Sequence, residues 1–155
     1  MWMKCKSLCY RMKYLFYNME VTQPNKSYKS YDHMVFSCQY HVIFCPKYRR
    51  KVLIDGVDVR LKELLKEKES EYGYSIMEME VMPDHVHLLI DVEPERNITQ
   101  IVNLIKGYTS HVLREEFPWL KKRIPTLWTR SKFISSVGTV TLEVVQKYIE
   151  EQKHV

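Results

Sequence analysis

The stretch Pro83-Asp84-His85-Val86-His87-Leu88-Leu89-Ile90 constrains the fold of this chain more than any other. Side chains alternate along a strand, so His85 and His87 project from one face while Val86, Leu88 and Ile90 project from the other. The apolar set points into a core. The two imidazoles, side by side on a rigid element, form half of a divalent-metal site. Strand histidines are also common as hydrogen-bonded packing residues, so the pair alone leaves both readings open. Asp84 favours a site, because at the strand mouth it could hold an imidazole tautomer or approach a metal as a carboxylate.

The surrounding pattern supplies the rest of a sheet. Residues 1–28 show no clean period and are expected to be a variable, poorly ordered extension; 29–155 are expected to form one domain. His33 to Cys45 is β-rich and stopped by Pro46. Val57 to Tyr72 reads as an amphipathic helix, with Val57, Leu61, Leu64, Leu65 and Lys68 on one stripe and Gly73 as its C′ residue. Tyr74 to Met82 alternates, with Ile76, Glu78, Glu80 and Met82 on one side and Met77, Met79 and Val81 on the other. Pro83-Asp84 then turns the chain into a strand from His85 to Val92. Asn97 can cap a helix to about Glu116 whose stripe is Ile98, Ile101, Leu104, Ile105, Tyr108 and Leu113.

Pro118 and Pro125 are expected to break the chain before a last strand around Leu127 to Ile134. Gly138 marks a turn, and Val140 to Gln152 forms a final helix. The order β-α-β-β-α-β-α predicts an α+β fold: a ferredoxin-like or RRM-like antiparallel sheet (βαββαβ) with an extra C-terminal helix. The 155 residues, 45% of them hydrophobic, are enough for one domain with a real core.

Charge narrows the function classes. Residues 1–31 hold six basic side chains and one acidic, which accounts for the whole net charge of +5; residues 32–155 carry 18 of each sign. Nucleic-acid binding by the body would therefore depend on local clusters such as Lys47-Tyr48-Arg49-Arg50-Lys51, Lys121-Lys122-Arg123, and Arg130 with Lys132. Such runs are also ordinary solvated surface. No apolar run approaches ~18 residues, so no membrane span is expected. Cys5, Cys9, Cys38 and Cys45 lack zinc-site spacing and fit a reducing, cytoplasmic setting.

A second candidate segment is Tyr148-Ile149-Glu150-Glu151-Gln152. Tyr148 and Gln152 share a helical face at i, i+4, offering a nucleophilic hydroxyl and an oxygen ligand, although a tyrosine beside the stripe Leu142, Val145, Ile149 also suits plain docking on a sheet. Taken with the histidines, the segment suggests metal-assisted phosphoryl transfer by a tyrosine.

Five blocks resemble one family in order and separation. They are Cys38 to Leu53, Met82 to Leu89, Ile105 to Ser110, Leu127 to Phe133, and Tyr148 to Gln152. The chain resembles the single-tyrosine HUH transposases of small bacterial and archaeal insertion sequences, the TnpA or IS200-like type. The loop Ser136 to Val140 departs from it, with one glycine where relatives often have two.

The resemblance implies that His85, His87 and Gln152 bind Mg²⁺ or Mn²⁺, and that Tyr148 attacks a DNA phosphate to form a 5′-phosphotyrosine link. It implies a substrate of single-stranded DNA with subterminal hairpins, and a homodimer whose tyrosine helices serve the partner's histidines in trans. Lys47, Arg49, Arg50, Lys51 and Arg130 would meet phosphates, and Tyr48 or Trp128 could stack a base, although core packing suits Trp128 at least as well. A rolling-circle initiator or relaxase-like nickase shares the same chemistry. A non-catalytic ferredoxin-like nucleic-acid-binding module is the alternative from another class.

Overall fold

The structure, a computed structural model, describes residues 28–137. The expected N-terminal extension, the final helix, Tyr148 and Gln152 lie outside these residues. Within them, strands β3 (Gln39–Phe44), β4 (Tyr74–Met82), β5 (His85–Val92) and β6 (Phe133–Ser136) form one antiparallel sheet in the order β4-β5-β3-β6. Helices α1 (Val57–Glu67) and α2 (Glu69–Tyr72) connect β3 to β4, while α3 (Ile98–Glu116) and α4 (Trp119–Arg123) connect β5 to β6. This is the expected βαββαβ order, with the first strand central between the third and the last. A separate hairpin of β1 (Lys29–Tyr31) and β2 (Met34–Phe36) precedes it. The β-rich run from His33 is thus two strands, and β1 falls where no strand pattern was legible.

One face of the sheet is the core. Val42, Phe44, Val86, Leu88 and Ile90 pack there with Val57, Leu61, Leu64 and Leu65 of α1 and Ile101, Val102, Ile105 and Leu113 of α3. Asn97 caps α3 as expected, its side-chain oxygen accepting from the amides of Thr99 and Gln100. Gly73 ends α2 at φ +73, and a Cβ there would come within 2.8 Å of Glu93 Oε2.

Four expectations need correction. On β4 a bulge at Met77 shifts the register between Ile76 and Glu78. Ile76 therefore joins Met79 and Val81 against the core, not Glu78, Glu80 and Met82 on the other side. On α3, Leu104 is exposed, because the stripe that meets the sheet runs 101, 102, 105, 109, 113 and position 104 lies off it. Between the prolines the chain does not merely break. Pro118 starts the short helix α4, which a proline tolerates at that end, and Leu120 and Ile124 seal the core.

The last strand is the fourth. It spans Phe133–Ser136, while Trp128 makes only an isolated bridge with Pro46. Leu127 and Thr129 still pair with the end of β3, through Lys47 N to Leu127 O (2.8 Å) and Thr129 N to Cys45 O (3.0 Å). Beyond them the chain wraps the buried Lys106 ammonium, which donates to the carbonyls of Thr129 (2.7 Å), Ser131 (3.1 Å) and Arg130 (3.4 Å). Carbonyls turned inward to a cation cannot continue a ladder, so the strand starts late.

Candidate active site

The opposite face of the sheet carries the chemistry. By register, His85, His87 and Leu89 of β5 lie beside His41 and Ile43 of β3 on one flank and Glu78, Glu80 and Met82 of β4 on the other. Glu80 stands directly across from His87, and Met82 across from His85. The i, i+2 expectation holds: both histidines are half-buried on this face, while Val86 and Leu88 are sealed beneath it.

Each imidazole has a distinct partner. His85 Nδ1 lies 2.8 Å from Asp84 Oδ1. An ionised carboxylate only accepts, so Nδ1 carries the hydrogen and, in the neutral ring, Nε2 keeps its lone pair. Burial pushes Asp84 up, but the hydrogen bond from His85 and the charge of Arg49 outweigh it and hold the carboxyl below its ordinary value. Asp84 Oδ2 accepts from Arg49 Nη2 at 2.7 Å. His87 Nε2 sits 3.2 Å from His41 Nδ1, with the two rings stacked at 5.4 Å.

Burial lowers the pKa of both His41 and His87, and for His87 the neighbouring His41 and His85 lower it further against the opposing pull of Glu80 and Glu78. Both rings are therefore neutral at pH 7, the form that can ligate a metal. Among the described residues no group of three His, Cys, Asp or Glu side chains is assembled for a metal. The donor set fits half a cation site: one imidazole whose Nε2 has no partner among the described residues, and a second whose Nε2 a cation would have to win from His41.

The basic loop enters at the mouth of this face. Lys47–Arg49 make a 3-10 turn in which Tyr48 (φ +59) and Arg49 (φ +51) both adopt left-handed backbone. Tyr48 is 68% exposed, with Lys47 Nζ 5.2 Å from its ring, and Arg50, Lys51 and Arg130 are exposed. Arg49 is turned inward to Asp84. Trp128 is excluded as a free stacking platform: it is buried, edge-on to Phe44 at 4.8 Å, and its Nε1 donates to Thr109 Oγ1 at 3.0 Å.

Sequence reasoning missed His41 and the inward turn of Arg49. An H-x-H spacing signals a pair on one strand, but nothing local links residues 46 positions apart. Only the strand pairing does so.

Comparisons with known proteins place the chain in a family. A family model described as IS200-like transposase matches residues 34–152. The ISDra2 transposase TnpA of Deinococcus radiodurans is 38% identical over 120 residues, covering 76% of this chain and 86% of that protein. The transposase of insertion sequence IS200 from Salmonella typhimurium is 31% identical over 126 residues, 80% of this chain and 82% of that one. A crystal structure of a D. radiodurans R1 protein described as a candidate transposase superposes with a TM-score of 0.66 at 35% identity, covering 80% of this chain and 97% of that one. A REP-associated tyrosine transposase bound to a REP hairpin shares the fold, with a TM-score of 0.52 at 15% identity over 81% of this chain and 74% of that one. With more than half its length matched by the family model, and with these relatives, the chain belongs to the IS200-like transposase family.

Proposed function

We propose that this transposase cleaves and rejoins single-stranded DNA at the ends of an insertion sequence, with Tyr148 as nucleophile and His85, His87 and Gln152 as ligands of Mg²⁺ or Mn²⁺. The reading is carried by the imidazole pair on the open sheet face, with His85 Nδ1 held by Asp84. A bound cation would polarise a non-bridging phosphate oxygen and offset the charge that develops there, an effect of several kcal/mol. Two neutral imidazoles and an amide bring no ligand charge, so phosphate and water complete such a site.

The chain's own residues do the rest. The Tyr148 phenol loses its proton and its oxygen bonds to phosphorus; the DNA O3′ leaves and takes up a proton. A phenolate is a good leaving group, so the freed 3′-OH of another end can attack the 5′-phosphotyrosine and reverse the exchange without an outside energy source. Exposed Arg50, Lys51 and Arg130, with half-buried Lys47 beside them, suit phosphate contacts, and exposed Tyr48 suits base stacking. Two copies of the chain would share sites in trans, and hairpins near the element ends would be the recognised substrate.

The test is an adduct assay with Mn²⁺ and single-stranded DNA from the flanks of the gene, run on a denaturing gel. A covalent adduct is expected, lost in Tyr148→Phe and on chelation. An adduct that survives Tyr148→Phe moves the nucleophile elsewhere; binding without adduct under any divalent metal favours a non-catalytic module.

A further inference from the structure

Arg49 lies in the most basic run of the body, where a phosphate contact is the ready assumption. Its side chain does something else. The guanidinium reaches back from the 3-10 turn, and Nη2 donates to Asp84 Oδ2 at 2.7 Å while Asp84 Oδ1 holds His85 Nδ1 at 2.8 Å. Its Nε is buried and has no acceptor among the described residues. Tyr48 and Arg50, its chain neighbours, both point to solvent. With Nη2 engaged and Nε enclosed, this guanidinium has less left to offer a backbone phosphate than its exposed neighbours.

The backbone explains the inward aim. Arg49 sits at φ +51, a region that costs a non-glycine residue about 1 kcal/mol or more and persists only where the surroundings over-determine it. Here they do: Arg49 N donates to Pro46 O at 2.9 Å, and Leu53 N donates to Pro83 O at 3.1 Å, joining the basic loop to the β4–β5 turn. The carboxylate of Asp84 thus takes a donor on each oxygen, one from the basic loop and one from the first residue of β5.

We infer that Arg49 is a positioning residue: through Asp84 it fixes the ring of His85 in the Nδ1–H tautomer, with Nε2 directed away from the clamp to receive the cation. This rests on the reading of His85 as a ligand and adds the residue that orients it. It also links the two functions of the face, because the loop that presents Tyr48 and Arg50 to DNA is the one that holds the ligand in place.

The experiment uses full-length protein without DNA. Long-range ¹H–¹⁵N spectra of ¹⁵N-histidine protein report the tautomer of His85 directly, before any metal is added. The Nδ1–H form is expected in wild type, mixed tautomers in Arg49→Ala and Asp84→Ala, and recovery in part in Arg49→Lys. Mn²⁺ affinity, read by electron paramagnetic resonance, should fall roughly ten- to a hundredfold in Arg49→Ala, as for other groups that orient a ligand. Single-stranded DNA affinity in chelator should stay within about twofold of wild type, whereas Arg50→Ala should weaken it and reduce its salt dependence.

An unchanged His85 tautomer in Arg49→Ala overturns the inference, whatever Asp84→Ala does. So does an Arg49→Ala protein that keeps its Mn²⁺ affinity but loses DNA affinity with a shallower salt slope, which would make Arg49 a phosphate contact. If the tautomer shifts as stated but wild type binds no Mn²⁺ at His85, the positioning role stands and the cation-site reading fails.

Discussion

Val86, Leu88 and Ile90 are closed to solvent, whereas His85 and His87, interleaved with them on β5, stay partly open. The helix-covered face is built of interlocking aliphatic side chains, each fully buried one contributing about 1.5–3 kcal/mol. The histidine face is built differently. Gln39 Nε2 and Asp91 Oδ1, a cross-strand pair on it, are buried without partners among the described residues, as is Arg49 Nε at its mouth. Unsatisfied buried groups are costly, and natural proteins tend to tolerate them where function asks for them. One face holds the fold together; the other spends some of that stability on a site.

This contrast can be broken most directly by exchanging a residue on each face. His87→Ala should cut strand transfer by roughly a thousandfold, the worth of several kcal/mol of charge stabilisation, while shifting unfolding by only about 1 kcal/mol. Leu88→Ala, its neighbour, should cost about 2–5 kcal/mol of stability through the cavity it leaves. Denaturant unfolding alongside the adduct assay separates the two, and comparable destabilisation by both would erase the distinction between faces.

A sharper case is Lys106, a charged group on the core side. Burial, then the nearby Lys132, push it down to about 8, against a weaker opposing pull from Cys45, while three carbonyls accept from its ammonium. Lys106→Met should destabilise by about 1–3 kcal/mol, because those carbonyls lose their donor. The sign with pH follows from the lowered value. Between pH 8 and about 10.4 the folded chain binds fewer protons here than the unfolded chain, so wild type should gain stability relative to Lys106→Met across that window. Urea midpoints of both proteins at pH 7, 8, 9 and 10 measure it; a gap that narrows as pH rises contradicts the assignment. The smallest effect belongs to the cap: Asn97→Ala should cost about 1 kcal/mol and leave transfer activity intact.

Local signals carried much of this structure. The hairpin through Pro83-Asp84, the cap at Asn97 and the stop at Gly73 each depend on a few adjacent residues, and all three lie where the pattern placed them. The histidine pair was legible for the same reason, since period two is a property of one strand. Leu104, β6 and the α4 turn were not, because which stripe of a helix meets a sheet and where a strand may begin are decided by the facing element. Lys106 delays β6 from 23 to 25 residues away.

The chain's own sequence therefore determined the element order, the family blocks and the two-faced character of β5, all properties set by neighbours along the backbone. Tertiary structure alone decided that His41 contacts His87 from 46 positions away and that Arg49 turns to Asp84 from 35. The physical reason is reach: a hydrogen bond acts over about 3 Å, and only strand pairing brings such distant residues that close.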